Sequence, residues 1–154
     1  MLVGTDIAGV VYQGRTEEMD PYKERYAIET GMRAGEIARL RPENIDVDRK
    51  VAHLTITKNG TARDVPLSAK AVKILKEVGE FNLTTEQISS LFRKIKDRTQ
   101  IKDLTFHDTR HEAITRLSKK LDVLDLARMV GIQDLKILMV YYNATASEIA
   151  ERLD

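Results

Sequence analysis

The chain has 154 residues, of which 42% are hydrophobic, 32% charged and 5% aromatic. This composition is that of one globular domain large enough to bury its own core, and the apolar fraction excludes an intrinsically disordered chain. No apolar run reaches membrane-spanning length and no basic leader opens the sequence, so we expect a cytoplasmic protein without a membrane partner. The sequence has no cysteine, which excludes a disulfide framework, a thiolate metal site and a cysteine nucleophile.

The net charge of +1 conceals an uneven distribution along the chain. Residues 1–30 hold three basic and six acidic side chains, and residues 121–154 hold the same numbers. Residues 91–120, in contrast, hold nine basic and four acidic side chains. This basic segment indicates a face that attracts polyanions, although a solvated helix accounts for the charge equally well.

The compact part of the chain is predicted to span residues 20–154. Residues 1–19 lack periodicity and contain three of the eight glycines, so we interpret them as a leader or a poorly ordered arm. Asp20 and Pro21 are typical of an N-cap and a first helical residue, and they predict a helix that continues to about Ile28.

A second helix is predicted over residues 33–40, and two strands follow it. Residues 51–57 and 63–67 have the alternation of a half-buried sheet, and Asn59-Gly60 stands between them. Because Asn-Gly between two such runs is a strong hairpin signal, we expect an antiparallel pair.

The rest of the sequence is predicted to be helical, on the basis of apolar periodicity and capping residues. The predicted helices cover residues 68–79, 84–95, 105–120, 122–130 and 134–141, with a last one from Thr145. The expected fold is therefore mainly α with a small antiparallel β-sheet, in the α+β class.

The densest polar cluster is residues 107–111, His-Asp-Thr-Arg-His, at the start of a predicted helix. His107, Arg110 and His111 are three or four residues apart and share a helix face. A guanidinium and an imidazole at a helix start form a plausible phosphate clamp. A capped helix start with exposed charges is the simpler interpretation of this cluster alone.

A zinc hydrolase is a remote alternative, because His107 and His111 have the i,i+4 spacing of two zinc ligands. Two features oppose it. Asp108 stands where the longer glutamate of the zinc motif belongs, and Arg110 would bring a fixed positive charge close to the metal.

Three polar segments follow one another along the chain in a characteristic order: residues 29–36 (ETGMRAGE), 57–67 (TKNGTARDVPL) and 106–111 (FHDTRH). Together they resemble the motifs of the tyrosine recombinases, or phage-type integrases, in their C-terminal catalytic domain. The resemblance covers residues 20–154. It implies the catalytic-domain fold of DNA breaking-rejoining enzymes and site-specific DNA recombination.

The chemistry implied by the resemblance is a tyrosine attack on a DNA phosphodiester that leaves a 3′-phosphotyrosine and a free 5′-hydroxyl. Two arginines would stabilise the transition state, a lysine on the hairpin would protonate the leaving oxygen, and a histidine would assist proton transfer. Because the bond energy is stored, no cofactor and no metal is required. The residues at the matching positions are Arg33, Lys58, His107, Arg110 and Tyr141, with Glu36 as an orienting partner of Arg33.

Two positions leave questions open. The family spacing, counted from position 132, selects Tyr141 as the nucleophile, with Tyr142 as the fallback. Most relatives have histidine at the position of Ile132, and some have tryptophan. Isoleucine cannot donate a hydrogen bond to a phosphate, so the alternative function is a catalytically impaired DNA-binding fragment.

The resemblance also implies the partners. They are double-stranded DNA and further copies of the chain, as a tetramer on DNA, with weak self-association through the C-terminal helix. The expected location is the nucleoid of a bacterium, with the protein encoded by the bacterium or a phage. Relatives carry an N-terminal DNA-gripping domain, which we expect to be absent from residues 1–154.

Overall fold

The computed structural model describes residues 22–55, 62–79, 81–97 and 104–154. The predicted leader or arm at residues 1–19 and the hairpin residue Lys58 lie outside these ranges. The helices within them are α1 (Tyr22–Thr30), α2 (Ala34–Ala38), α3 (Ala69–Val78), α4 (Thr85–Lys96), α5 (Asp108–Leu117), α6 (Val123–Val130) and α7 (Ala146–Ala150). Short 3₁₀ turns cover Pro42–Asn44, Leu135–Ile137 and Met139–Tyr141.

A three-stranded antiparallel sheet accompanies the helices, in the order β1 (Ile45–Asp46), β2 (Val51–Leu54) and β3 (Arg63–Pro66). The predicted pairing of β2 with β3 is confirmed, with Leu54 opposite Arg63 at the end next to the connecting segment. The sequence did not predict β1, because two residues are too few to show alternation.

Local capping chemistry sets several helix ends as predicted. The Ser68 side chain accepts a hydrogen bond from the Ala71 amide at the start of α3, and Gly131 ends α6 in the left-handed conformation with φ of 73°. A capping box is also present between Thr145 and Glu148 at the start of α7. These ends were predictable because each cap involves residues within one helical turn.

Two predicted helices are shorter or tighter than expected. The helix predicted from Thr105 begins at Asp108, because Asp108 accepts hydrogen bonds from the amide and hydroxyl of Thr105 in a preceding turn. The helix predicted over residues 134–141 consists of two 3₁₀ turns around Leu138, which is fully buried. So short a segment takes its conformation from tertiary packing rather than from helix propensity.

The core lies between α1 and the helices and strands that surround it. Helix α1 packs against α3 and α5, and α6 packs against β3. The largest fully buried side chains are Tyr26, Phe92, Met32, Ile37, Ile88, Leu126, Leu138 and Val65. Among the described residues, no helix is long and apolar enough to cross a membrane.

The packing brings the end of α1 close to the end of α6. Gly31 follows α1 with φ of 71°, and a Cβ atom there would lie 3.0 Å from the Val130 side chain. Glycine is therefore required both by the backbone conformation and by the close approach. The carbonyl groups at these two helix ends face the start of α5.

Candidate active site

Arg110 occupies the junction of these three helices. It is 4% exposed, and its Nη1 and Nη2 each donate a hydrogen bond of 2.8 Å, to the carbonyl oxygens of Gly31 and Val130. Burial, followed by the positive charge of Arg33, lowers the pKa of Arg110 to about 10, which leaves the side chain protonated at neutral pH. Because two of its five N–H groups hold it in place, three donors remain for an anion.

Arg33 stands beside Arg110 at the N-cap of α2, in an extended backbone conformation. Glu36, one turn further on, accepts a hydrogen bond of 2.9 Å from the Arg33 backbone N–H through Oε1. The Arg33 Nη1 is 3.8 Å from Glu36 Oε2, beyond hydrogen-bond distance. The guanidinium of Arg33 is therefore near Glu36, but it is not the group to which that carboxylate is bonded.

The guanidinium that is bonded to the Glu36 carboxylate belongs to Arg63, a residue for which the sequence predicted no role. Arg63 donates to Glu36 Oε2 at 2.5 Å from Nη1 and to Oε1 at 2.9 Å from Nη2. Its Nε donates to the carbonyl oxygen of Met129 at 3.0 Å. Burial by itself would raise the pKa of Glu36, but these hydrogen bonds and the neighbouring positive charges outweigh it and hold that pKa below its usual range.

A signal for Arg63 was present in the sequence. Side chains at positions 63, 65 and 67 share one face of β3 and its continuation, and Val65 and Leu67 are buried there. An arginine on the core-facing side of a strand requires a buried partner, since an unpaired charge would be costly.

His107 precedes α5 and is exposed, with its ring edge-to-face against His111 at a centroid distance of 5.3 Å. Partial burial, then the charges of His111, Arg110 and Arg33, lower the pKa of His107. The imidazole is therefore neutral at pH 7 and able to accept a proton. Among the described residues, these two histidines are not part of any group of three or more candidate metal ligands. Two ligands are fewer than the three or four that the protein supplies in zinc sites.

Replacing His111 by alanine should raise the pKa of His107, because it removes a positive charge that opposes protonation of the neighbouring ring. The imidazole resonances of His107, followed by NMR as a function of pH, report this shift directly. His53 is the internal control, since it lies on β2 with its Nδ1 2.6 Å from Asp64 Oδ1. An unchanged His107 titration in the variant would contradict this electrostatic account.

The two neighbouring tyrosines have different surroundings. The Tyr142 hydroxyl donates a hydrogen bond of 2.7 Å to the carbonyl oxygen of Leu121. Tyr141 is half-buried, and burial raises the pKa of its phenol while the positive charge of Arg110 opposes that rise. Tyr141 is thus the tyrosine that interacts electrostatically with Arg110, whereas the Tyr142 hydroxyl is bonded elsewhere.

Ile132 lies directly after the left-handed Gly131 and packs against the core. Its side chain helps to line a cavity of about 570 Å³, next to Leu124, Ala127 and Leu135 and beside Arg63. The apolar part of this lining explains how isoleucine is accommodated at this position, although Asp64, Arg128 and Gln133 line the cavity as well. Of the predicted site residues, Arg33, Glu36, His107, Arg110 and Tyr141 form one electrostatically connected group.

Comparison with known proteins agrees with this fold. The sequence profile of the phage integrase family matches residues 24–148, so the chain belongs to that family. An integrase/recombinase-type protein of Haemophilus influenzae is 44% identical over 138 residues, 84% of this chain and 45% of that protein. A shufflon-specific DNA recombinase of Escherichia coli is 40% identical over 136 residues, 83% of this chain and 35% of that protein. The chain thus spans less than half the length of these relatives.

Solved structures share the fold at low sequence identity. The Tn1549 transposon integrase, in complex with a circular intermediate DNA, superposes with a TM-score of 0.76 at 16% identity, covering 100% of this chain and 65% of that chain. A lambda integrase dimer bound to a core site gives 0.74 at 16% identity, covering 93% and 59%. The predicted fold, that of the tyrosine-recombinase catalytic domain, is confirmed.

Proposed function

We propose that this domain cleaves and rejoins DNA strands in site-specific recombination through a covalent phosphotyrosine. The Tyr141 oxygen attacks the scissile phosphorus, the bond from phosphorus to the 5′-oxygen breaks, and the 5′-oxygen leaves as a hydroxyl after taking a proton. A 5′-hydroxyl of another strand then attacks the phosphotyrosine and reverses the chemistry. The observation that carries the proposal is the convergence of Arg110, Arg33, neutral His107 and the Tyr141 phenol.

Each side chain of this group fits one requirement of the reaction. The three free donors of Arg110 and the guanidinium of Arg33 suit the nonbridging oxygens, where negative charge develops in the transition state. Neutral His107 accepts the phenol proton, which Tyr141 does not release unaided near neutral pH. Lys58, on the segment that joins β2 to β3, is proposed as the general acid for the leaving oxygen.

The proposed substrate is duplex DNA, and a basic pocket beside His107 supports this choice. Arg93 and Lys96 of α4 line a cavity of about 370 Å³ together with His107. Basic side chains next to the scissile position suit the flanking phosphates, so binding should weaken steeply with added salt. The Tn1549 and lambda integrase structures are likewise complexes with DNA. Action on DNA would place the protein at the nucleoid.

Trapping the covalent intermediate tests the proposal. The substrates are labelled duplexes that have a nick close to the cleavage position, flanked by randomised sequence. After cleavage, the short fragment that carries the 5′-hydroxyl dissociates, so the adduct accumulates. The expected result is a protein-linked label that survives denaturation in detergent. Failure to form any adduct at high protein concentration, in both the natural chain and the Ile132→His variant, would refute the assignment.

Ile132 supports the second candidate function, a DNA-binding protein with impaired catalysis. We expect Ile132→His to speed adduct formation about 10- to 100-fold, because a donor to a charged phosphate contributes about 1.5–3 kcal/mol. The same trapping assay measures this rate, and Gln133→His is the control for an added imidazole at the next position. DNA retention with no adduct until Ile132 is replaced would favour the impaired protein, and equal rates would show that isoleucine suffices.

We also propose self-association through the C-terminal segment, with a tetramer on DNA. Ile149 and Leu153 are 47% and 79% exposed, and Met139 and Val140 are exposed as well. Large apolar side chains that are exposed near the same end of the chain favour a surface that another protein covers. Sedimentation of the protein with synaptic DNA should give complexes that contain more than one protomer per DNA site. A complex with a single protomer would contradict the proposal.

A further inference from the structure

The Glu36 carboxylate lies between two arginines that compete for it. Arg63 binds both carboxylate oxygens, while the nearest Arg33 guanidinium nitrogen is 3.8 Å from Oε2. Glu36 is 6% exposed and the Arg63 side chain 8%, so this pair is shielded from solvent. In such surroundings a carboxylate is strongly attracted to any guanidinium within reach.

We propose that Arg63 is a positioning residue that keeps the Arg33 guanidinium available for the phosphate. Arg63 binds both oxygens of Glu36, and the other hydrogen bond of that carboxylate within the described residues comes from the Arg33 backbone N–H. Arg33 is thus held by its backbone, and in the part of the chain that the structure describes its guanidinium donates no hydrogen bond. This inference rests on the proposed function.

The guanidinium of Arg63 is already engaged within the protein. All three guanidinium nitrogens already donate within the protein, to Glu36 and to the carbonyl oxygen of Met129. Gly131 also packs on it, since a Cβ atom at that position would lie 2.9 Å from Arg63 Cζ. We therefore assign Arg63 an action through Glu36 rather than a contact with DNA.

The bonds of Arg63 also connect elements that must stay aligned. Arg63 begins β3, at the end of the segment that carries Lys58, and it is bonded to Glu36 on α2 and to Met129 on α6. The next carbonyl of α6, that of Val130, holds Arg110. One side chain thus links the strand, the helix of Arg33 and the helix end that supports Arg110.

The decisive test compares two variants in the trapping assay under single-turnover conditions with saturating DNA. In Arg63→Met, Glu36 should turn to the Arg33 guanidinium and slow adduct formation about 100-fold, with DNA affinity little changed. Adding Glu36→Gln should restore about 10-fold of that loss. Glutamine keeps an acceptor for the Arg33 backbone N–H but has no charge with which to capture its side chain.

A purely structural role predicts the opposite order, because losing both partners should harm the fold more than losing one. A double variant as slow as Arg63→Met, or slower, would overturn the proposal. Arg49→Met is the matched control, because the Arg49 side chain is 85% exposed and its Nε forms a long surface ion pair, 3.9 Å from Asp46 Oδ2. Its adduct rate should equal that of the natural chain.

A second measurement does not depend on activity and separates this inference from the proposed function. Rotation of the Arg33 guanidinium, observed through its side-chain N–H resonances by NMR, should be free in the natural chain and restrained in Arg63→Met. Free rotation in the variant would overturn the inference even if adducts form. If Arg63→Met does not fold, Arg63→Lys takes its place, because one ammonium cannot occupy both Glu36 oxygens and the Met129 carbonyl.

Discussion

Tyr141→Phe should abolish the covalent DNA adduct, whereas Tyr142→Phe should retain it. Phenylalanine keeps the half-buried ring of Tyr141 but removes the oxygen that would attack phosphorus, so no slower route to the same adduct remains. The Tyr142 hydroxyl is committed to the Leu121 carbonyl at 2.7 Å, away from the arginine group. Denaturing gels of the trapped, labelled DNA measure both variants.

Stability provides the complementary measurement for this pair of variants. Tyr142→Phe loses a hydrogen bond and should lower the free energy of unfolding by about 0.5–1.5 kcal/mol. Within the described part of the chain, no hydrogen bond of the Tyr141 hydroxyl contributes to the fold in the same way, so Tyr141→Phe should leave thermal unfolding nearly unchanged. An adduct in Tyr141→Phe that disappears in Tyr142→Phe would reassign the nucleophile.

Arg110→Met should reduce adduct formation at least about 1000-fold and also destabilise the domain. The catalytic loss follows because the substitution removes the charged N–H donors proposed to bind the nonbridging phosphate oxygens, where negative charge develops in the transition state. The structural loss follows because the carbonyl oxygens of Gly31 and Val130 lose the guanidinium as their hydrogen-bond donor. Each buried acceptor left without a donor lowers the free energy of unfolding by about 1–3 kcal/mol. Thermal unfolding by circular dichroism and the trapping assay report the two effects separately.

Arg110→Lys separates charge from geometry. Lysine keeps the positive charge, but a single ammonium cannot reach both carbonyls and a phosphate, so most of the rate should still be lost. Arg116→Met is the control on the same helix, where the exposed Arg116 Nε donates to Glu112 at 2.9 Å, and it should change stability by less than about 0.5 kcal/mol. An Arg110→Lys variant with the natural rate would contradict the role of the guanidinium fork.

The fold was largely predictable, because its elements depend on local chemistry. The Ser68 cap, the Asn59-Gly60 signal between two strands and the glycine that ends α6 each act within a few residues. The strand β1 and the 3₁₀ turns around Leu138 were not predicted, since packing against distant residues decides them. The same contrast holds within the candidate site.

The sequence by itself determined which residue types the site contains and in what order, through motifs whose spacing is read along the chain. Only the tertiary structure decided which of them interact. Arg110 is bonded to Gly31 across 79 positions, and Arg63 to Met129 across 66. Such pairings depend on how helices and strands pack, and neither periodicity nor capping specifies that packing. For this reason Arg63 had no assigned role until the contact with Glu36 was observed.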